Sequence, residues 1–223
     1  ARMGVTPGLR PDPARRRLGV YGGAFDPPHL AHVAMARAFV TQCALDSLWV
    51  VPTGHAWHKP MVQTPAAHRL AMSQLAFAEM PQVVVDDREL RRPGASYTID
   101  TLEALAAEHP NADWFVLMGL DQWLNFQRWH RWEDIARLAT ITVAERAEFE
   151  SAKAQKELKF DPRSAPPGCT AQCLDWQPVA LSSTRVRAHW GLTSPAAESA
   201  QAMVPAAVAR YISHHQLYTR TTT

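Results

Sequence analysis

Apolar runs alternate with helical patterns along most of the chain. Short continuous apolar runs predict strands buried on both faces, and apolar positions that recur every three to four residues predict helices. The predicted strands are residues 17–23, 47–54, 81–87, 112–121, 139–147 and 170–176. The predicted helices are residues 30–45, 64–80, 96–110, 122–126, 133–138, 183–190 and 205–218. This order indicates an α/β fold, a doubly wound (Rossmann-like) parallel sheet with a small C-terminal helical portion.

Charge is unevenly distributed along the 223 residues. Five arginines and one aspartate among residues 1–17 carry +4, so a total of +2 leaves −2 for the rest of the chain. Residues 1–16 combine Pro, Gly and Arg without apolar periodicity, which predicts a disordered basic tail. The remainder is close to neutral, and we therefore expect no nucleic-acid partner.

One domain is predicted over residues 17–218, with residues 148–175 as a variable surface excursion. No apolar segment of signal-peptide type follows the arginine cluster, and no stretch approaches the length of a membrane span. The three cysteines show neither CxxC spacing nor a disulfide framework. These features predict a cytoplasmic protein without a membrane partner.

The segment GGAFDPPHLAH, residues 22–32, concentrates reactive and turn-forming residues after the first predicted strand. We expect Asp26 to cap the following helix and Pro27 to occupy its first position. His29 and His32 then lie three residues apart on one side of the first turn. This side faces the crevice of a doubly wound sheet, where such folds bind ligands.

From the residues alone, the histidine pair is consistent with a partial zinc site, with two packed imidazoles, or with a phosphate site. A zinc site lacks an obvious third ligand. A phosphate site accounts for more of the segment, because glycine-flanked N–H groups at a helix N-terminus favour anions. The absence of GxGxxG excludes the redox-dinucleotide fingerprint.

The segment resembles the GGxFDPxHxGH signature of the HxGH nucleotidyltransferase superfamily, which transfers a nucleotidyl group from ATP or CTP to a phosphate. The resemblance implies that His29 and His32 contact the triphosphate. It also implies that the turn holds the nucleotide near the backbone of Gly22, Gly23, Ala24 and Phe25. The chain departs from the signature at Ala31, where the superfamily usually has Gly. We expect a slightly tighter adenine site there and no loss of activity.

A second segment, LSSTRVR at residues 181–187, is typical of an ordinary helix N-cap followed by a surface arginine. It is also similar to the superfamily's ISxTxIR signature. The resemblance implies that Ser182, Thr184 and Arg187 hold the β- and γ-phosphates. A guanidinium fork suits that task.

Four further segments resemble those of bacterial nicotinate-nucleotide adenylyltransferases, namely residues 57–60, 86–102, 117–130 and 208–218. The resemblance implies that Trp129 stacks on the pyridine ring of nicotinate mononucleotide. It places the substrate carboxylate on Thr98 and the backbone N–H of His130. The remaining implied contacts are His58 and Lys59 near the phosphates, and Gly119 and Asp121 on the nucleotide ribose. Tyr97 is expected only to pack beside the pocket.

The expected reaction is transfer of AMP from ATP to nicotinate mononucleotide, in NAD biosynthesis. We expect His29, His32, Lys59 and Arg187 to stabilise the leaving pyrophosphate, with Mg²⁺ entering together with ATP and no resident metal site. The alternatives are a sibling enzyme that uses nicotinamide mononucleotide or phosphopantetheine, and a non-catalytic nucleotide sensor. The sequence leaves the oligomeric state open.

Overall fold

Six parallel strands form one sheet in the part of the chain that the structure describes. This computed structural model describes residues 15–54, 64–145, 159–190 and 195–219, without the side chains of 195–198. The strands are β1 (Arg16–Gly23), β2 (Ser47–Pro52), β3 (Val83–Val85), β4 (Ala112–Gly119), β5 (Ala139–Ala144) and β6 (Ala171–Cys173). The predicted tail up to residue 14 lies outside the described residues, as do residues 148–158 of the predicted excursion.

Helices connect the strands and cover the sheet. They are α1 (Leu30–Gln42), α2 (Ala66–Ala76), α3 (Arg88–Arg91), α4 (Thr98–Glu108), α5 (Leu120–Trp123), α6 (Trp132–Leu138), α7 (Ser183–His189), α8 (Pro195–Ala202) and α9 (Ala206–His214). Two 3₁₀ turns lie at Phe126–Arg128 and Pro162–Ser164. Within the described ranges, no helix combines the length and the apolar character needed to cross a membrane.

The strand order is β3-β2-β1-β4-β5-β6, and every neighbouring pair is parallel. The chain builds outward from β1 to β3 and then returns to place β4 on the other side of β1. The order therefore reverses between β1 and β4, which opens a crevice at their carboxyl ends. The predicted doubly wound parallel sheet is confirmed.

Each face of the sheet is buried under its own apolar cluster, because successive side chains of a strand point to opposite faces. In β1, Tyr21 belongs to the cluster that also contains Phe39 of α1 and Met72 of α2. Its neighbour Val20 belongs to the other cluster, with Leu102 of α4 and Ile135 of α6. The continuous apolar character of the strands follows from this burial on both faces.

The start of α1 differs from the sequence-based expectation. The prediction that Asp26 caps α1 was wrong, because the N-cap is His29 and the helix begins at Leu30. The prediction that Pro27 occupies the first helical position was wrong for the same reason, because Pro27 precedes the N-cap by two residues. The Asp26 carboxylate is engaged in a long-range hydrogen bond instead, since it accepts from the backbone N–H of Thr64 at 3.2 Å.

Candidate active site

A cavity of about 120 Å³ opens at the carboxyl ends of β1 and β4. Six of the sequence-predicted site residues line it: Gly22, Gly23, Ala24, Thr98, Trp129 and His130. Residues as far apart in the sequence as Gly22 and His130 therefore line the same cavity. The switch point of the sheet brings them together, as expected for this fold.

Residues 22–29, which we call the glycine loop, turn sharply after β1. Phe25 takes the left-handed conformation, with φ 47°, and its ring is buried. A Cβ atom on Gly23 would lie 3.0 Å from that ring, closer than carbon atoms normally approach. A side chain at position 23 would therefore fit only if the Phe25 ring moved.

The two histidines of the loop form a stacked pair, with ring centroids 3.7 Å apart. The backbone N–H of His29 donates to Nδ1 of His32 at 3.1 Å. Because Nδ1 accepts, the proton of the neutral His32 ring is on Nε2, which leaves that atom a donor. His29 is buried and His32 is half-buried, so both rings act in a partly desolvated setting.

Asp26 is a buried acceptor rather than a helix cap. One carboxylate oxygen accepts from the Tyr218 hydroxyl at 2.6 Å, and the other accepts from the backbone N–H of Thr64. Burial, together with this hydrogen bond to Asp26, raises the pKa of the Tyr218 hydroxyl far above its ordinary value. Tyr218 therefore remains a donor throughout the neutral range and ties the C-terminal segment to the glycine loop.

The second sequence motif meets the glycine loop directly. Nη1 of Arg187 donates to the carbonyl oxygen of Asp26 at 2.6 Å. The Ser183 hydroxyl donates to the carbonyl oxygen of Pro27 at 2.9 Å. The other end of the Arg187 guanidinium lies 3.3 Å from the Thr184 hydroxyl oxygen. The two segments that resemble nucleotidyltransferase signatures are thus one surface in the folded protein.

Ser182 caps α7 as predicted, since its hydroxyl accepts from the backbone N–H of Arg185 at 3.2 Å. Ala31 is buried within α1 and does not line the cavity. The tighter adenine site expected from Ala31 stays a prediction.

The far wall of the cavity is aromatic and carries a helix N-terminus. Thr98 is the first residue of α4, where backbone N–H groups have no partner within the helix. Trp129 is half-buried, and its ring meets Phe126 edge-on with centroids 5.7 Å apart. Tyr97, expected only to pack, itself lines the cavity, and its ring lies 4.5 Å from that of His130.

Eight predicted site residues within the described ranges are not part of the cavity lining: Phe25, His29, His32, Gly119, Asp121, Ser182, Thr184 and Arg187. The first three belong to the glycine loop and the start of α1, and the last three to the α7 segment that meets this loop. Gly119 and Asp121 lie at the end of β4 and the start of α5, beside the cavity but outside its lining. The backbone N–H of Gly119 donates to the side-chain oxygen of Gln122, which does line the cavity. His58 and Lys59 lie outside the described residues.

Glu89 is a cavity residue that sequence reasoning missed. Its side chain is buried, and one carboxyl oxygen accepts from the Thr101 hydroxyl at 2.8 Å. Burial raises the pKa of the carboxyl, an effect opposed by the Thr101 hydrogen bond, by the charge of Arg92 and by the Gly54 backbone N–H. The resemblance of residues 86–102 marked this segment, but nothing in the local pattern indicates that its glutamate is buried.

Metal ligands are sparse around the histidine pair. Across the described ranges, no group of three or more His, Cys, Asp and Glu side chains is arranged to hold an ion. The zinc interpretation of His29 and His32 therefore gains no third ligand from this part of the protein.

The chain is similar to known proteins over most of its length. Residues 20–189 match the family model described as cytidylyltransferase-like. A probable nicotinate-nucleotide adenylyltransferase of Albidiferax ferrireducens is 47% identical, over 91% of this chain and 98% of that protein. A protein of the same name from Methylibium petroleiphilum is 36% identical, over 92% of this chain and 93% of that protein.

Solved structures support the same fold. The Plasmodium falciparum nicotinic acid mononucleotide adenylyltransferase complexed with NaAD superimposes with a TM-score of 0.72, covering 92% of this chain and 98% of that one at 19% identity. The resemblance to that structure concerns the fold alone, whereas the two sequence relatives align over 91% and 92% of this chain at 47% and 36% identity. The chain belongs to the nicotinate-nucleotide adenylyltransferase family of cytidylyltransferase-like proteins.

Proposed function

We propose that this protein transfers AMP from ATP to nicotinate mononucleotide, forming nicotinate adenine dinucleotide and pyrophosphate. One observation carries the proposal. A single cavity joins the glycine loop, at Gly22 and Gly23, to the α4 N-terminus and the indole of Trp129. The names of the sequence relatives and the NaAD complex of the Plasmodium falciparum protein support the same reaction.

The donor side consists of the glycine loop and the α7 segment. His29, His32 and Arg187 bind the triphosphate of ATP, and Ser182 and Thr184 add hydroxyl groups. Nε2 of His32 donates a hydrogen bond, and the Arg187 guanidinium, already oriented by Asp26, contributes a fixed positive charge. Gly22, Gly23, Ala24 and Phe25 keep the nucleotide close to the backbone. Lys59 and His58 are assigned to the phosphates on the resemblance of their segment.

The acceptor side is the aromatic wall. The pyridine ring of nicotinate mononucleotide stacks on Trp129, because an indole face suits a flat heteroaromatic ring. The substrate carboxylate binds the backbone N–H groups of Thr98 and His130, since a helix N-terminus favours an anion. Gly119 and Asp121, beside the cavity, hold the nucleotide ribose.

Chemistry at this site requires positioning and charge stabilisation. The 5′-phosphate oxygen of the acceptor attacks the α-phosphorus in line, a P–O bond forms, and the bond to the bridging oxygen of pyrophosphate breaks. A phosphate monoester dianion is already a nucleophile, so the enzyme forms no covalent intermediate. His29, His32, Lys59 and Arg187 stabilise the negative charge that develops on pyrophosphate.

Mg²⁺ enters this proposal as the companion of ATP. The nearby carboxylate of Asp26 is already engaged by Tyr218 and Thr64, and the described residues hold no cluster of three metal-binding side chains. Such a site fits an ion held mainly by triphosphate oxygens and water, as is usual for Mg²⁺. The ion, when bound, neutralises phosphate charge. We also propose a cytoplasmic location, with ATP and nicotinate mononucleotide as partners.

An acceptor comparison tests the function. Pyrophosphate release from ATP is measured with nicotinate mononucleotide, nicotinamide mononucleotide and phosphopantetheine, each with Mg²⁺. We expect the highest kcat/KM with nicotinate mononucleotide. Equal or higher kcat/KM with the amide would refute the acid preference, and faster release with phosphopantetheine would refute the acceptor class. Binding of ATP without release in any arm would indicate a nucleotide sensor.

A further inference from the structure

Arg69 is a buried charged residue of α2 with no place in the reaction proposed above. Its exposed fraction is 3%. Nη1 donates to the carbonyl oxygens of Ala24 at 3.0 Å and Thr53 at 2.8 Å. Nε donates to the carbonyl oxygen of Thr64 at 3.0 Å. One guanidinium therefore joins three segments that are separate in the sequence.

Two of these segments form the cavity wall. Ala24 belongs to the glycine loop, Thr53 follows β2, and both line the cavity. The backbone N–H of Thr53 also donates to the carbonyl oxygen of Gly23 at 2.8 Å. Arg69 thus fastens the glycine loop to the end of β2 from outside the cavity.

The third segment begins at Thr64, whose backbone is bonded through both its carbonyl and its N–H group. The carbonyl of Thr64 accepts from Arg69, and its N–H donates to the carboxylate of Asp26. Asp26 also opposes the effect of burial on Arg69, since burial lowers the pKa of the guanidinium and the negative charge of Asp26 raises it. Leaving either partner alone would bury a charge without compensation, which is strongly unfavourable.

These hydrogen bonds also orient backbone donors. In a trans peptide the C=O and the following N–H point in opposite directions. Because the Ala24 carbonyl is directed at Arg69, the N–H of Phe25 is turned to the opposite side. The next peptide shows the same arrangement. The Thr53 carbonyl accepts from Arg69, and the N–H of Gly54, on the opposite side, interacts with the Glu89 carboxyl in the cavity wall.

We propose that Arg69 is a positioning residue for ATP, which fixes the Ala24–Phe25 peptide so that the glycine loop presents its backbone donors to the phosphates. The identity of the nucleotide rests on the proposed function. Arg69 bonds the glycine loop directly, at Ala24, but reaches the α4 wall only indirectly, through Thr53, Gly54 and Glu89, so its main influence is on the donor side. Loss of Arg69 then weakens the binding of ATP more than the binding of the acceptor.

Arg69→Met and Arg69→Lys test the proposal, with Arg163→Met as the control, because the side chain of Arg163 is 90% exposed. We measure the Kd of ATP by calorimetry, the KM values of both substrates, and hydrogen exchange of peptides covering residues 20–28 and 139–144. For Arg69→Met we expect ATP to bind about tenfold more weakly, as for loss of a hydrogen-bonded charged group. The KM of the acceptor changes less than about twofold, a range within that of ordinary surface substitutions.

Exchange should rise in residues 20–28 and stay unchanged in β5, whereas a global defect would raise both. Arg69→Lys keeps the charge but loses the planar guanidinium. We therefore expect its Kd for ATP to lie between the values of wild type and Arg69→Met. If Arg69→Met does not fold, Arg69→Lys decides. Wild-type ATP affinity with unchanged exchange in residues 20–28, or equal losses for both substrates, would overturn the proposal. A wild-type protein that binds ATP but releases no pyrophosphate would instead refute the proposed function and leave this test valid.

Discussion

Arg187 donates a hydrogen bond of 2.6 Å to the backbone of Asp26, 161 positions earlier in the chain. The contact joins the two segments that carry nucleotidyltransferase-like motifs. A second bond, from the Ser183 hydroxyl to the carbonyl of Pro27, reinforces it. Arg187 is therefore held in one orientation in the free protein, and under the proposed function it would lose less conformational freedom on binding a phosphate.

Replacing Arg187 by Met should weaken ATP use. A hydrogen bond to a charged group contributes about 1.5–3 kcal/mol, so kcat/KM for ATP is expected to fall by about 10- to 100-fold. Steady-state pyrophosphate release at varied ATP measures the change. Arg185→Met, on the exposed side of the same helix, serves as the matched control. A loss below about threefold, smaller than a single neutral hydrogen bond typically produces, would remove Arg187 from phosphate binding.

His32→Ala should lower kcat strongly. The Nε2–H of His32 is set as a donor by the backbone N–H of His29, and removing one donor to a developing charge typically costs about 10²-fold or more. Single-turnover pyrophosphate release isolates the chemical step. His214→Ala, exposed on α9, should leave the rate unchanged. If His32→Ala reacts within about threefold of wild type, the charge-stabilising role is wrong.

Trp129→Ala should raise the KM of nicotinate mononucleotide and leave that of ATP nearly unchanged. Aromatic stacking contributes about 0.5–1.5 kcal/mol beyond the buried area, so we expect the KM of nicotinate mononucleotide to rise about 2- to 12-fold. Trp129→Phe retains a ring face and should recover most of the affinity. Equal effects on the KM values of ATP and the acceptor would contradict stacking of the pyridine ring.

Glu89 should make stability depend on pH. Because its pKa is raised in the folded protein, the native state keeps a proton that the unfolded chain has lost. The free energy of unfolding therefore falls as the pH rises from about 4.3, the ordinary glutamate pKa, towards the raised value. Glu89→Gln lacks this ionisation.

The Tm of Glu89→Gln relative to wild type should therefore increase with pH across this window. Thermal unfolding at pH values from about 4 to about 8 measures the difference in Tm between Glu89→Gln and wild type. Glu79→Gln, with an exposed side chain, is the control and should follow the wild-type curve. A difference that is constant with pH, or that shrinks as the pH rises, would show that burial does not disfavour the Glu89 carboxylate.

Local patterns were sufficient for the architecture because a strand buried on both faces must be apolar throughout. Each predicted strand is present, although β3 and β6 are shorter than their apolar runs. The missed helices α3 and α8 lack a clear apolar stripe, and α8 is rich in alanine. Their positions depend on packing against neighbours rather than on their own periodicity.

By itself, the sequence determined the doubly wound fold and located the two motif segments and the segment that contains Trp129, since each is written in contiguous residues. Tertiary structure alone decided what their polar groups do. Asp26 looked like a helix cap but accepts from Tyr218, 192 positions later, and Arg69 binds carbonyls from segments up to 45 residues away. Such partners are invisible to local pattern, because buried polar groups take whichever complementary group the fold brings within hydrogen-bond distance.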